Sequence, residues 1–264
     1  MRVVVVVQAR TSSSRLHGKI LLPLAGRPLL ERILERIRAA STPDDVVVAT
    51  TCDRSDDSVY DLAIAAGVRC YRGDTNDLID RHLQAARCAL ADVVVKIPSD
   101  CPLIDPGVID RVLDFYKGNA AVFDYVSNLH PATFPDGNDV EVMPVPVLEA
   151  AWREAREGYE REHTTPFIWE RPERFRIGNV EMAGGADYSR SHRWTIDYRE
   201  DYDLIAAVYD ALWNPRRMFS LDDVLNLVRA RPELAAVNAM HLGRNWYVDQ
   251  RRGPAAAGLT GVSV

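Results

Sequence analysis

Five consecutive valines at positions 3–7 begin the hydrophobic pattern of this chain, and a run apolar at every position predicts a strand buried on both faces. After Pro28 the period changes. Leu29, Leu30, Ile33, Leu34 and Ile37 fall on one face of a helix that Pro28 opens. Residues 46–49 predict a second strand, and Ser55 is placed to cap a helix that Gly67 ends. A third strand is expected over 68–71, a helix over 77–89, a fourth strand over 93–97 and a helix over 106–116. Asp105 before Pro106 has the form of a helix cap. Strands alternating with helices at a repeat of ~20–25 residues predict an α/β fold, a doubly wound and mostly parallel sheet with helices on both faces.

From 124 to 196 the strands become less apolar, and Pro131, Pro135, Gly137, Pro144 and Pro146 punctuate the loops. This stretch reads as an insertion that faces substrate or forms a dimerisation arm. Residues 201–213 and 221–230 predict late helices. The expected organisation is one domain over 1–252 carrying the 124–196 insertion, then a disordered tail over 253–264, where GPAAAGLTGVSV is small and uncharged. No internal repeat is visible.

Composition narrows the class. The 264 residues are 47% hydrophobic and 27% charged, as in a soluble protein with a sizeable core. A net charge of −6 argues against a general nucleic-acid binder. The apolar run at the start is far too short to span a membrane and lacks a small-residue cleavage site, so a cytoplasmic protein with no membrane partner is expected. Cys52, Cys70, Cys88 and Cys101 have no metal or redox spacing, and buried or partly buried free thiols are expected. The six histidines form no HxH or HExxH pattern, so no zinc site is expected.

Charge is distributed unevenly. The first 30 residues contain Arg2, Arg10, Arg15, Lys19 and Arg27 but no acid, and Glu31 is the first carboxylate. Three of these cations lie in QARTSSSRLHGK, directly after the first strand. Ser12, Ser13, Ser14 and Gly18 let the backbone come close to a ligand there. A basic loop at the carboxyl end of a buried strand suits a polyphosphate. Neither GxGxxG nor GxxxxGK[ST] is present, so the charged side chains must do more of the binding. A solvated basic loop is the plainer alternative.

Carboxylates recur at other strand ends. VVVKIPSDCPLIDP delivers Asp100 to the edge of the sheet where the first loop emerges, and RWTIDYREDYDLI places Asp197 after a strand-like 194–196. Each is either a Mg²⁺ ligand or a turn residue, and Asp201 reads as a helix cap. In FPDGNDVEV, Asp139 and Glu141 alternate on a strand and share a face, suited to sugar hydroxyls or a metal, or simply solvated. His163 in EREHTTPFIWE either meets substrate or packs.

In this order the motifs resemble the cytidylyltransferases that activate acidic sugars as CMP-sugars, above all the spore-coat polysaccharide branch. The resemblance rests on QAR…SRLHGK, GRPLLERILERI, VVVATT, YRGDTNDLIDRHLQAA, SDCPLIDP, DYVSN, FPDGNDVEV, EREHTTPFI and RWTIDYREDY, across about residues 3–240. Ser99 stands where that branch usually has glycine, and His17 where it usually has proline.

The resemblance implies a Rossmann-like nucleotidyltransferase that transfers CMP from CTP to a sugar hydroxyl, releases pyrophosphate, depends on Mg²⁺ and forms a homodimer. It implies Arg10, Arg15 and Lys19 as catalytic cations. A nucleotide site would be drawn from Gln8, Ala9, Arg10, Ser14, Lys19, Arg72, Gly73, Asp80, Arg81 and Ser99. Asp100 and Asp197 would be metal ligands, and Asn128, Asp139, Glu141 and His163 would face the sugar. A glycosyltransferase using a nucleotide-sugar would usually present a DxD motif, whereas Asp100 is followed by Cys101-Pro102. The other alternative is a non-catalytic nucleotide-binding relative.

Overall fold

The valine run, β1 (Val3–Gln8), is an inner strand of a seven-stranded sheet in the computed structural model, which describes residues 1–13 and 15–244. Ser14 and the expected tail over 253–264 lie outside the described residues. The remaining strands are β2 (Pro23–Leu24), β3 (Arg27–Pro28), β4 (Asp45–Thr51), β5 (Arg69–Gly73), β6 (Val93–Pro98), β7 (Tyr125–Ser127), β8 (Glu141–Pro144) and β9 (Ile177–Asn179). The helices are α1 (Leu29–Ala39), α2 (Asp57–Ala65), α3 (Leu78–Cys88), α4 (Pro106–Asn119), α5 (Val145–Glu154), α6 (Gly158–His163), α7 (Pro166–Trp169), α8 (Arg199–Leu212), α9 (Leu221–Ala230) and α10 (Pro232–Ala236).

The sheet order is β5-β4-β1-β6-β8-β7-β9, and β2 pairs only with β3. β5, β4, β1 and β6 run parallel. β8 is antiparallel to β6 and β7, while β9 is parallel to β7. The sheet is thus mixed but mostly parallel, as the strand–helix alternation predicts. The three strands of the 124–196 stretch extend this same sheet.

All five valines of β1 are fully buried because the sheet is covered on both faces. Val3, Val5 and Val7 join one core with Leu30 and Ile33 of α1, Ile109 of α4 and Ile205 of α8. Val4 and Val6 join the other with Ile79 and Leu83 of α3 and Leu148 of α5. Each buried valine contributes roughly 1.5 kcal/mol or more, so the middle of β1 is a rigid base for the loop that follows it. β4 lies on one side of β1 and β6 on the other. The chain therefore reverses its order here, leaving a crevice at the carboxyl ends of β1 and β6, where open α/β sheets take ligands.

Several local expectations change. Asp53, not Ser55, caps the turn into α2, because its carboxylate accepts the Ser55 N–H at 2.9 Å. Residues 194–196 form no strand: Ile196 N–H bonds the Asp100 carbonyl and Trp194 N–H the Asp136 carbonyl, so the segment is held by single bonds to two different loops. Asp201 is the third residue of α8 rather than its cap, and its carboxylate accepts the Asp197 and Tyr198 N–H groups. Asp105 does cap α4, accepting from Gly107 and Val108. Cys52 and Cys88 are exposed rather than buried. No described helix is long and apolar enough to cross a membrane.

Candidate active site

The loop after β1 is shaped by Thr11. Its N–H and hydroxyl both donate to buried Asp56, at 2.7 and 2.8 Å. The loop then folds back, with Gly18 N–H on the Thr11 carbonyl at 2.9 Å. Gly18 turns the chain at φ 66° into a short 3₁₀ turn, Lys19–Leu21. Lys19 is thereby driven inward until only 8% of it is exposed. His17 remains exposed at the loop's rim.

All three ammonium protons of Lys19 are used. They meet Asp100 Oδ2 at 2.8 Å, the Ile196 carbonyl at 2.5 Å and Asp197 Oδ1 at 3.2 Å. Arg15 reaches the same Asp197 oxygen at 2.6 Å. Burial acts to lower the Lys19 pKa, but the two carboxylates outweigh it and the net direction is upward, so the amine stays charged. Burial likewise acts against the Asp197 carboxylate, yet Lys19, Arg15 and Arg193 bring its pKa down to about 2.

One ammonium that touches both carboxylates sets Asp100 and Asp197 close together across the crevice. Two carboxylates are hard oxygen donors of the kind Mg²⁺ takes, although among the described residues no group of three or more acids, histidines or cysteines forms a metal cluster.

The segment bearing Asp197 is held by the 136–138 turn. Gly137 has φ 106°, and a Cβ there would lie 2.6–2.8 Å from the backbone of Trp194 and Thr195. Backbone cannot yield as a flexible side chain can. Gly137→Ala is expected to cost about 1–3 kcal/mol through overpacking, together with the left-handed strain. A denaturant titration checks it, and an unchanged midpoint would contradict the close packing of the two segments.

On the β4–β5 side stand two cations without a carboxylate partner at salt-bridge distance among the described residues. Arg10 donates to the Thr75 carbonyl at 3.5 Å. Arg81, 1% exposed, donates to the Asp74 carbonyl and to Gln8 Oε1. Burial and the neighbouring Arg10 charge lower the Arg81 pKa to about 10. Its Nε finds no hydrogen-bond partner among the described residues, nor does His82 Nε2. Gln8 also bonds the His82 ring and the Leu78 carbonyl. Two guanidinium groups with no carboxylate in direct contact, beside the carboxyl end of β1, favour an anion.

Ser99 occupies the turn between β6 and Asp100. Ala9 is buried, with its N–H on the Ala49 carbonyl. Gly73 packs beneath Tyr71, whose ring leaves no room for a Cβ. Arg72 braces the β4–α2 loop through the Thr51 and Asp53 carbonyls and Asp57. Asp80, in the first turn of α3, accepts from Gln84 at 3.0 Å. The side chains of Arg72 and Asp80 are thus engaged within the protein.

Beyond β6 lies a second polar cluster. Lys96 pairs with Glu141, its register partner on β8, and the Tyr125 hydroxyl donates to the other Glu141 oxygen at 2.5 Å. Both oxygens of buried Glu141 are thus engaged within the protein, one by Lys96 and one by Tyr125. Asn128 holds main chain: its amide donates to the Asn138 carbonyl and accepts from Val140 N–H. His163 ends α6 half-buried, where burial and Lys96 lower its pKa to about 4 and keep the imidazole neutral at pH 7.

Asp139 precedes β8 and accepts the Gly137 N–H at 3.2 Å. Burial, reinforced by Asp100 and Glu141, raises its pKa to about 6. An acid raised on folding contributes most when protonated and loses that contribution as pH climbs through 6. Asp139→Asn is expected to raise stability at pH 7 by on the order of 1 kcal/mol and to do nothing at pH 4. Melting curves at both values check this; equal gains would contradict the raised pKa.

The sequence matches the model of the cytidylyltransferase family over residues 4–219. The chain belongs to the cytidylyltransferase family. A solved cytidylyltransferase from Leptospira borgpetersenii superposes with a TM-score of 0.84 at 32% identity, covering 94% of this chain and 99% of that one. The spore coat polysaccharide biosynthesis protein SpsF of Bacillus subtilis is 28% identical over 235 residues, 87% of this chain and 95% of that protein. A 3-deoxy-manno-octulosonate cytidylyltransferase of Trichlorobacter lovleyi is 33% identical over 119 residues, 45% of this chain and 46% of its own length.

In this cytidylyltransferase, the fold brings Arg15, Lys19, Asp100 and Asp197 into direct contact, with Gln8, Arg10 and Arg81 along one side. Four further polar side chains join these contacts: Arg193 at Asp197, Lys96 and Tyr125 at Glu141, and His82 at Gln8. Lys96 carried a signal: it is the one charge inside the apolar run of β6. Arg193 opens the RWTID motif and touches Asp197 directly, at 2.9 Å.

Proposed function

We propose that the chain transfers CMP from CTP to a hydroxyl of an acidic sugar and releases pyrophosphate. Support comes from the family, from the names of the polysaccharide and octulosonate relatives, and above all from Lys19 set between Asp100 and Asp197 at the switch point of the sheet. In this reaction the sugar oxygen bonds the α-phosphorus while the bond from that phosphorus to the bridging oxygen breaks. The bond electrons leave with pyrophosphate, and the hydroxyl proton is lost. Such a transfer needs positioning and charge neutralisation more than covalent help.

Arg10 and Arg81 would receive the phosphates first, since they have no carboxylate to leave. Lys19 and Arg15 would move from the aspartates to the triphosphate and steady the charge that develops on pyrophosphate. Asp100 and Asp197 would then hold Mg²⁺. When bound, the ion supplies charge neutralisation on the phosphate oxygens and acidifies the attacking hydroxyl. The Lys96–Glu141 pair, Asp139 and neutral His163 would border the acceptor. Gln8, joined to Arg81 and His82, is fixed at the nucleotide side of the crevice.

The test is pyrophosphate release from CTP with Mg²⁺ across a panel of eight- and nine-carbon 2-keto sugar acids. One acid should release pyrophosphate and yield its CMP-sugar. Release with neutral sugars alone would overturn the acidic-sugar reading, and release from another nucleotide but not CTP would overturn the CMP reading.

A further inference from the structure

Arg193 lies just behind the crevice and is almost wholly buried, yet it is surrounded by acids. All five of its N–H donors are engaged. Nε meets Asp201 Oδ1 at 3.1 Å. Nη1 meets Asp136 Oδ2 at 3.1 Å and the Arg244 carbonyl at 2.7 Å. Nη2 meets Asp197 Oδ2 at 2.9 Å and Asp201 Oδ2 at 3.3 Å. The C-terminal segment closes the arrangement from behind, where Asn238 donates to the Arg193 carbonyl at 2.9 Å and to Asp201 Oδ1 at 2.8 Å. Three segments that share no strand ladder thus converge on one guanidinium: the 136–139 turn, the 193–201 segment and the 238–244 segment.

The two oxygens of Asp197 consequently face different partners. Oδ2 is held by Arg193, while Oδ1 meets Lys19 and Arg15. We infer that Arg193 is a positioning residue: it holds Asp197 by one oxygen so that only Oδ1 is presented to a divalent cation, and residues 238–244 complete that support. The planar fork is what the task requires, because lysine would carry the charge but could not span Asp136, Asp197 and Asp201 together. Outer partners of this kind typically set metal affinity or activity by about 10–100-fold. The inference rests on the reading that Asp100 and Asp197 hold a divalent cation.

The test is Mn²⁺ binding by the full chain in the presence of CTP, followed by electron paramagnetic resonance, in the wild type, Arg193→Lys and Asn238→Ala. Arg193→Lys should weaken Mn²⁺ binding by about 10–100-fold, and Asn238→Ala should weaken it less, in the same direction. The half-saturating Mg²⁺ for turnover should rise in step, while KM for the acceptor stays constant. If Arg193→Lys does not fold, Asn238→Ala decides. Variants that melt earlier but bind Mn²⁺ as the wild type does would reduce Arg193 to a structural role and overturn the inference. A wild type that binds no Mn²⁺ would instead overturn the metal reading beneath it.

Discussion

Lys19→Ala is expected to lower turnover by about 10²–10³-fold, the usual loss when one preorganised charge is removed from a developing anion. The physical reason is placement. Gly18 and the Thr11–Asp56 contacts bring the amine to a spot where it is buried but still charged. No neighbour can replace it, since Arg15 approaches from the exposed rim and Arg193 is committed behind Asp197. The fold should survive, because both arginines still neutralise Asp197. Loss of Lys19 also leaves Asp100 without its ammonium. Mg²⁺ alone should therefore raise the melting temperature of the variant more than that of the wild type. Steady-state kinetics and metal-dependent melting check the two parts separately. Near-wild-type kinetics would remove Lys19 from the phosphate site.

Asp197→Asn carries the second large effect, with two opposite signs. The half-saturating Mg²⁺ should rise beyond the roughly 10–100-fold typical of losing an outer-shell partner, because a ligand itself is gone. Metal-free CTP should bind more tightly by about 3–10-fold, equivalent to roughly 1 kcal/mol. In the wild type, Lys19 and Arg15 must leave a carboxylate before they can meet a phosphate; in the variant that competitor is neutral. Calorimetric titration with CTP, with and without Mg²⁺, reads both. Metal-free affinity that falls instead would show that the aspartate does not compete for these cations.

Much of this fold is legible because β1, β4 and β6 are apolar enough to demand burial on both faces, and α1 shows its stripe plainly. The strand order places their loops at one edge. What fails is local. Residues 194–196 look like a strand by composition, but each end bonds a different loop rather than a ladder. Ser55 looks like a cap until Asp53, two residues earlier, takes its N–H.

At the site, Arg15, Lys19 and Asp100 are legible as unlike charges in the loops after the buried strands β1 and β6, whereas Asp197 stands out through its motif alone, since no strand precedes it. The partners of Glu141 and Asn128 are hidden from the sequence for a common reason. A polar residue beside a strand end gives no sign of a partner across the sheet, and Lys96 lies opposite Glu141 only through the β6–β8 register. Arg193 is hidden for a related reason, since besides the nearby Asp197 and Asp201 it meets Asp136 and the Arg244 carbonyl, which lie more than 50 residues away on either side.

On the proposed function, the crevice between β1 and β6 should bind CTP with Mg²⁺ through Lys19 and its two aspartates. Isothermal titration of Mg²⁺ with CTP, UTP, GTP and ATP into the wild type and Lys19→Ala tests it most directly. The account predicts heat for CTP in preference to the other three, with affinity lost in the variant. Equal binding of all four nucleotides, or CTP binding unchanged by loss of Lys19, would contradict it.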